Sequence, residues 1–190
     1  MPRTTRQATI SEVLDLAIEL ERRTMELYAG FMRAFVDTPD LADFWFGMAR
    51  HEAGHCGALS LVECILRGEP SEPTKQRVSF DLRTVVRLRG LLAGYRRELK
   101  RGIAPHRAFE MAIDLEASEL EDVVVDLLNV VPDGGRRSQA ARMLTHDLGD
   151  LGYMIEKHTD DDELLARADA LFERRRTVPR PASGPEPSGH

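Results

Sequence analysis

Apolar positions along this chain recur every third or fourth residue, the spacing of one face of an α-helix. No stretch sustains the period of two that a half-buried strand shows. The pattern predicts an all-α protein. Thr9-x-x-Glu12 is a capping box opening a helix over about 10–36, and "DTP" at 37–39 closes it and sets Pro39 at the first position of the next. That second helix runs to about 67, where Gly68 and Pro70 stop it, and the polar stretch "EPSEPTKQ" follows as a linker. A third helix is predicted over about 81–101, ending at Gly102, and a fourth, opened by Pro105, runs to about 130. "VPDGG" at 131–135 turns the chain, a further helix covers about 136–158, and "TDDDE" at 159–163 caps a short one to about 175. Residues 1–9 thus read as an N-terminal arm, 10–158 as one helical domain, 159–176 as a short C-terminal helix, and the Pro/Gly/Ser-rich 177–190 as a disordered tail.

Following the helical spacing along each long helix shows where the apolar pattern fails. The first stripe reads Leu14, Ala17, Glu21, Met25, Tyr28, Met32, Phe35, and the second Leu41, Trp45, Met48, Glu52, His55, Leu59, Val62, Leu66. The helix after Pro105 gives Phe109, Ala112, Glu116, Leu120, Val123, Leu127, Val130, and the last long one Ala140, Met143, Asp147, Asp150, Met154. Each stripe is broken near its middle by acidic or imidazole groups. Burying a lone ionised carboxylate costs several kcal/mol, so four core stripes interrupted at matching heights call for a compensating cation, and the simplest is a metal.

An internal repeat pairs these interruptions. A shift of 95 residues lays "AIELE" (17–21) on "AIDLE" (112–116) and, without a gap, "MARHEAGH" (48–55) on "MLTHDLGD" (143–150). Glu21 then matches Glu116, Glu52 matches Asp147 and His55 matches Asp150, giving two copies of a hairpin in which a lone-carboxylate helix precedes one with ligands at i and i+3. Two such hairpins predict an antiparallel four-helix bundle, with 69–104 as a long crossover containing an extra helix. His51 and His146 also match, and read as partly exposed histidines or as groups orienting their neighbours. The third helix has an apolar face of Val85, Leu88, Leu92, Tyr95 and Leu99 and a polar face rich in arginine, the pattern of a helix packed across the bundle.

Composition narrows the class. With 190 residues, 42% apolar, 31% charged and a formal net charge of −6, the chain reads as one soluble domain large enough to fold without metal or disulfides. That balance argues against a nucleic-acid partner. Cys56 and Cys64, eight residues apart on one helix, form neither a disulfide framework nor a cysteine metal site. Lacking an apolar signal region or a spanning segment, the protein is expected to be cytoplasmic and free of the membrane.

This layout resembles the ferritin-like superfamily, and within it the diiron domain of rubrerythrins, across roughly residues 10–158. Tyr28, seven residues after Glu21, and "APHRAFEMAIDLE" at the start of the second half belong to the same likeness. In that family two lone glutamates and two ExxH motifs bind a pair of irons. The resemblance therefore implies a diiron site, with manganese as the alternative, at Glu21, Glu52, His55, Glu116, Asp147 and Asp150, with Glu119 as the nearest counterpart of an additional rubrerythrin glutamate. It implies a non-haem oxidoreductase acting on peroxide, oxygen or Fe²⁺, in which Glu52 and Asp147 bridge the metals and His55 and Asp150 cap them. Tyr28 is its candidate redox-active or hydrogen-bonding neighbour. The chain departs from the family at "DLGD", where ExxH is usual, and at Val123, which matches Tyr28. It also lacks the rubredoxin-like domain, so the electron donor is unidentified and homo-oligomerisation is left open. The alternative is a non-catalytic metal-binding or degenerate ferritin-like interaction module.

"HEAGH" at 51–55 also fits the HExxH of zinc proteases, with His51 and His55 as ligands and Glu52 as base. A catalytic zinc needs a third protein ligand, and the extended form of the motif fails because Ala58 and Leu61 hold its next fixed positions. The zinc reading also leaves the repeat and the other broken stripes without a cause, so ExxH is preferred.

Overall fold

The computed structural model describes residues 5–118 and 149–177. The expected fourth helix beyond 118, the "VPDGG" turn, the start of the next helix, Glu119, Val123, His146 and Asp147 lie outside the described residues, as does 178–190. The described chain is mostly helical: α1 (Ile10–Ala34), α2 (Pro39–Arg67), α3 (Leu82–Leu99), α4 (Pro105–Glu116), α5 (Gly149–His158) and α6 (Asp162–Thr177). No described helix is long and apolar enough to cross a membrane.

Local chemistry sets the first boundaries. The Thr9 hydroxyl accepts from the Glu12 amide (3.2 Å) while the Glu12 carboxylate accepts from the Thr9 amide (2.7 Å), the reciprocal capping box read from the sequence. α1 ends where the Phe35 amide bonds Phe31 O, and Pro39 opens α2, whose last turn is closed by the Gly68 amide on the Cys64 and Ile65 carbonyls. Gly102 takes a positive φ of 93°, which a glycine adopts without strain, and turns the chain toward Pro105 at the start of α4.

Two features differ from the all-α expectation. Thr5–Thr9 (β1) and Arg77–Asp81 (β2) form an antiparallel ribbon with Thr5 opposite Asp81 and Thr9 opposite Arg77. "TRQAT" carries no apolar alternation, and "RVSFD" alternates Val78 and Phe80 with polar residues over only five positions, so the pairing of these short segments depends on a partner about 70 residues away. α4 also stops at Glu116 rather than running to about 130. Ala117 and Ser118 bond back to Ile113 and Leu115, and the i−3 bond of Ser118 tightens this last turn.

Residue pairings give the directions of the helices. Ser11 bonds Glu63, Cys56 lies on the Ile18 carbonyl and Tyr28 stacks on Trp45, so α1 and α2 run antiparallel. α3 runs parallel to α1: Arg89 pairs with Glu19, Arg96 with Glu26 at 2.8 Å, and Leu99 lies where a side chain on Gly30 would be. α4 runs parallel to α2, with Phe109 against Phe44 and Trp45 at ring distances of 5.9 and 5.3 Å and Glu116 further along beside Glu52. α6 follows α4 through Arg167–Asp114 (2.8 Å), and α5 joins the start of α2 through Lys157 and His158 on Asp40. The expected apolar face of α3 is buried on this framework at Val85, Leu88, Leu92 and Tyr95.

Candidate metal centre

Four polar side chains from three helices converge inside this core. Glu21 stands mid-way along α1, Glu52 and His55 stand three residues apart on α2, and Glu116 ends α4; each is exposed by no more than 6%. Helical spacing brings them to one place, because residues three and four apart share a face and these faces carry the apolar stripes that pack together. His55 Nδ1 lies 3.2 Å from Glu52 Oε2 and 3.5 Å from Glu21 Oε2. One donor atom from each of Glu21, Glu52 and His55 falls within 4.8 Å of the other two, a spacing that one cation can bridge. Glu116 lines the same cavity, and the Tyr28 hydroxyl donates to its Oε1 at 2.9 Å.

The cavity holds about 30 Å³, room for roughly two water-sized species. Leu20 and Thr24 of α1, Leu88 and Leu92 of α3, and Leu115 and Ser118 complete its walls. Thr24 and the two α3 leucines were not singled out for the site in the sequence. The apolar face of α3 was legible, but which groups it covers is not written in its own spacing.

Electrostatics record the crowding. Burial pushes the Glu52 carboxyl well above its usual value, and the neighbouring Glu21 and Glu116 carboxylates add to this, with His55 pulling the other way. Burial works against a charge on His55, but hydrogen bonds and attraction from Glu21 and Glu52 outweigh it and raise the imidazole to about 10. The metal-free site therefore holds protons between its carboxylates and imidazole. A divalent cation placed there would replace those protons, and the oxygen-rich set with one nitrogen fits iron(II) or manganese(II). The thiol of Cys56 is raised to about 11 by burial and by the same carboxylates, and its sulfur faces the Ile18 carbonyl at 3.8 Å, a packing role.

The remaining nominated residues divide. Tyr28 is fully buried and reaches the centre through Glu116. His51 is half-buried and outside the convergent set, so the residue grouped with His55 is Glu52, as the ExxH spacing requires. Asp150, expected to cap a second metal, is exposed and does not line the cavity. α5 buries Leu151, Met154 and Ile155, and Asp150 stands about 100° round the helix from Leu151, toward solvent. No family model, no curated protein and no solved structure matches this chain.

Proposed function

We propose that this protein is a non-haem metal oxidoreductase of ferritin-like type, with iron or manganese held by Glu21, Glu52, His55 and Glu116, acting on peroxide, oxygen or Fe²⁺. The convergence of three buried ligand atoms within 4.8 Å, with a fourth carboxylate in the same cavity, is the observation that carries this reading. Buried carboxylates without a cation repel one another and pay desolvation, so a fold that collects them in its core gains by binding one. A redox-active metal pair bound there would supply the electrons that reduce peroxide or oxygen. Peroxide reduction to two waters consumes two electrons and two protons, the electrons coming from a separate donor. In this scheme Glu21, Glu52 and, once it has lost its proton, His55 would hold the metals. Tyr28 fixes the orientation of Glu116 through its hydroxyl. Leu88 and Leu92 limit water at the site, which strengthens the electrostatic interactions within it.

A non-catalytic metal-binding module is the second reading, favoured by the exposure of Asp150, which leaves only the first i, i+3 ligand pair assembled among the described residues. One experiment separates the two. Protein purified without added metal is analysed for its metal content, loaded anaerobically with Fe²⁺ or Mn²⁺, and exposed to peroxide or oxygen. The oxidoreductase reading expects about two ions per chain and catalytic consumption of the oxidant when a reductant is supplied. Tight binding of a single ion without turnover selects the binding module. No metal and no stabilisation on metal addition overturn both.

A further inference from the structure

The outer face of α2 carries an exposed aromatic ring beside glycines and two charged side chains. Helical spacing sets Pro39, Asp43, Phe46, Gly47, Arg50 and Gly54 along one strip turned away from the metal centre. Phe46 is 57% exposed, and a Cβ at Gly47 or Gly54 would meet nothing within 4 Å among the described residues. Asp43 and Arg50 form no ion pair among the described residues, and at seven residues apart on one helix they cannot reach each other. The strip is therefore a protruding ring beside open glycine floor, flanked by one unpaired acid and one unpaired base.

We infer that this strip is a self-complementary docking surface on which a second copy of the chain binds with the two α2 helices antiparallel, about a two-fold axis between Phe46 and Gly47. Charge decides the direction. A parallel two-fold pair would set Asp43 against the partner's Asp43 and Arg50 against the partner's Arg50, and like charges in contact oppose association. The antiparallel pair sets Asp43 against the partner's Arg50 and Arg50 against the partner's Asp43. The same register lays Phe46 on the partner's Gly47 and Pro39 on the partner's Gly54, so both open glycines receive a protruding ring. A two-fold interface is made of the same patch twice, and these pairings satisfy that condition over about 24 Å of helix. Glycines at such a crossing let the backbones approach closely, and antiparallel helix dipoles add a favourable term. The inference does not rest on the metal centre.

Charge exchange with rescue tests it. Asp43→Arg and Arg50→Asp should each turn a concentration-dependent dimer, measured by sedimentation or light scattering up to about 100 μM, into a monomer, and the double variant should restore the dimer. Gly47→Cys, close to the axis, should oxidise to a disulfide-linked dimer. Leu61→Cys, on the same helix but about 43 Å from its symmetry mate in this register, should not. A wild-type chain that stays monomeric throughout overturns the proposal. So does a dimer indifferent to both charge reversals, or one that Leu61→Cys links as readily as Gly47→Cys.

Discussion

His55 and Glu52 show how much of the site's behaviour sits in single side chains. Both hold protons in the folded, metal-free state that the unfolded chain releases: His55 because its carboxylate neighbours raise it from 6.5 to about 10, and Glu52 because burial and like charges raise it above 4.5. Where the native state binds more protons than the unfolded one, stability falls as pH rises. The His55 contribution is complete below about 6.5 and lost as pH rises through about 10, and the Glu52 contribution erodes above 4.5. Metal-free protein should therefore unfold at lower urea concentration at about pH 9 than at about pH 6. Metal affinity should move the other way, rising with pH, because the metal must displace the same protons. Equal urea midpoints at the two pH values would show that the three side chains do not share protons in the folded state.

Residue exchanges separate the two readings of "HEAGH". Glu52→Ala and Glu116→Ala should each remove most bound metal, His51→Ala should spare it, and Asp150→Ala should spare it because that side chain faces solvent. Metal content of the four purified variants reports this directly. Retained metal in Glu52→Ala with loss in His51→Ala would restore the zinc-protease arrangement. Tyr28→Phe keeps the ring stacked on Trp45 at 5.8 Å and removes only the hydroxyl on Glu116, so it should cost about 1 kcal/mol of stability, read from urea unfolding.

At the scale of elements, what was legible in the sequence is what is written locally. The start of α1, the Pro39 opening of α2 and its end at Gly68 follow from caps and breakers within a few residues, and all three stand as read. The cap is a test in itself: Thr9→Ala removes the hydroxyl that accepts from Glu12 and should lower stability by about 1 kcal/mol, measured as a shift in the urea midpoint. The apolar interruptions at Glu21, Glu52, His55 and Glu116 were equally legible, since a charge in a stripe of core positions is visible without a structure. What escaped was non-local. β1 is a polar five-residue segment and β2 alternates Val78 and Phe80 over only five, too short a run to announce a strand, so each becomes one through the other. The end of α4 has no glycine or proline to announce it. The exposure of Asp150 depends on which face α5 buries, and the 95-residue repeat, a relation between sequences, does not carry that information.

For the molecule as a whole, the centre lies where α1, α2 and α4 meet under α3, so its ligands join segments far apart in the chain. A cation bound there would favour the folded state alone and should stabilise it by mass action. Thermal unfolding with and without saturating Mn²⁺ should show a rise in midpoint for the wild type and a much smaller one for Glu52→Ala. An equal rise in both would place the stabilising ion elsewhere. The aromatic cluster of Tyr28, Phe31, Phe44, Trp45 and Phe109 packs one end of this assembly next to the centre and fixes the spacing between α1, α2 and α4.

The β1–β2 ribbon has a consequence for how the chain is made. β1 leaves the ribosome well before its partner, which is complete only at Asp81, so the early strand emerges with both edges open. At about 5–20 residues per second this interval lasts several seconds, far longer than helix formation in α1 or α2 requires. The α1–α2 hairpin can thus close first and bring Thr9 toward Gln76, whose carbonyl accepts from the Ile10 amide at 3.0 Å. Pairing of the ribbon then acts as a late clasp that delivers α3 onto α1. Nascent chains arrested before and after residue 81 has left the exit tunnel should differ sharply in protease sensitivity at the N-terminal strand, and the polar composition of "TRQAT" is what keeps that waiting edge from recruiting a neighbouring chain.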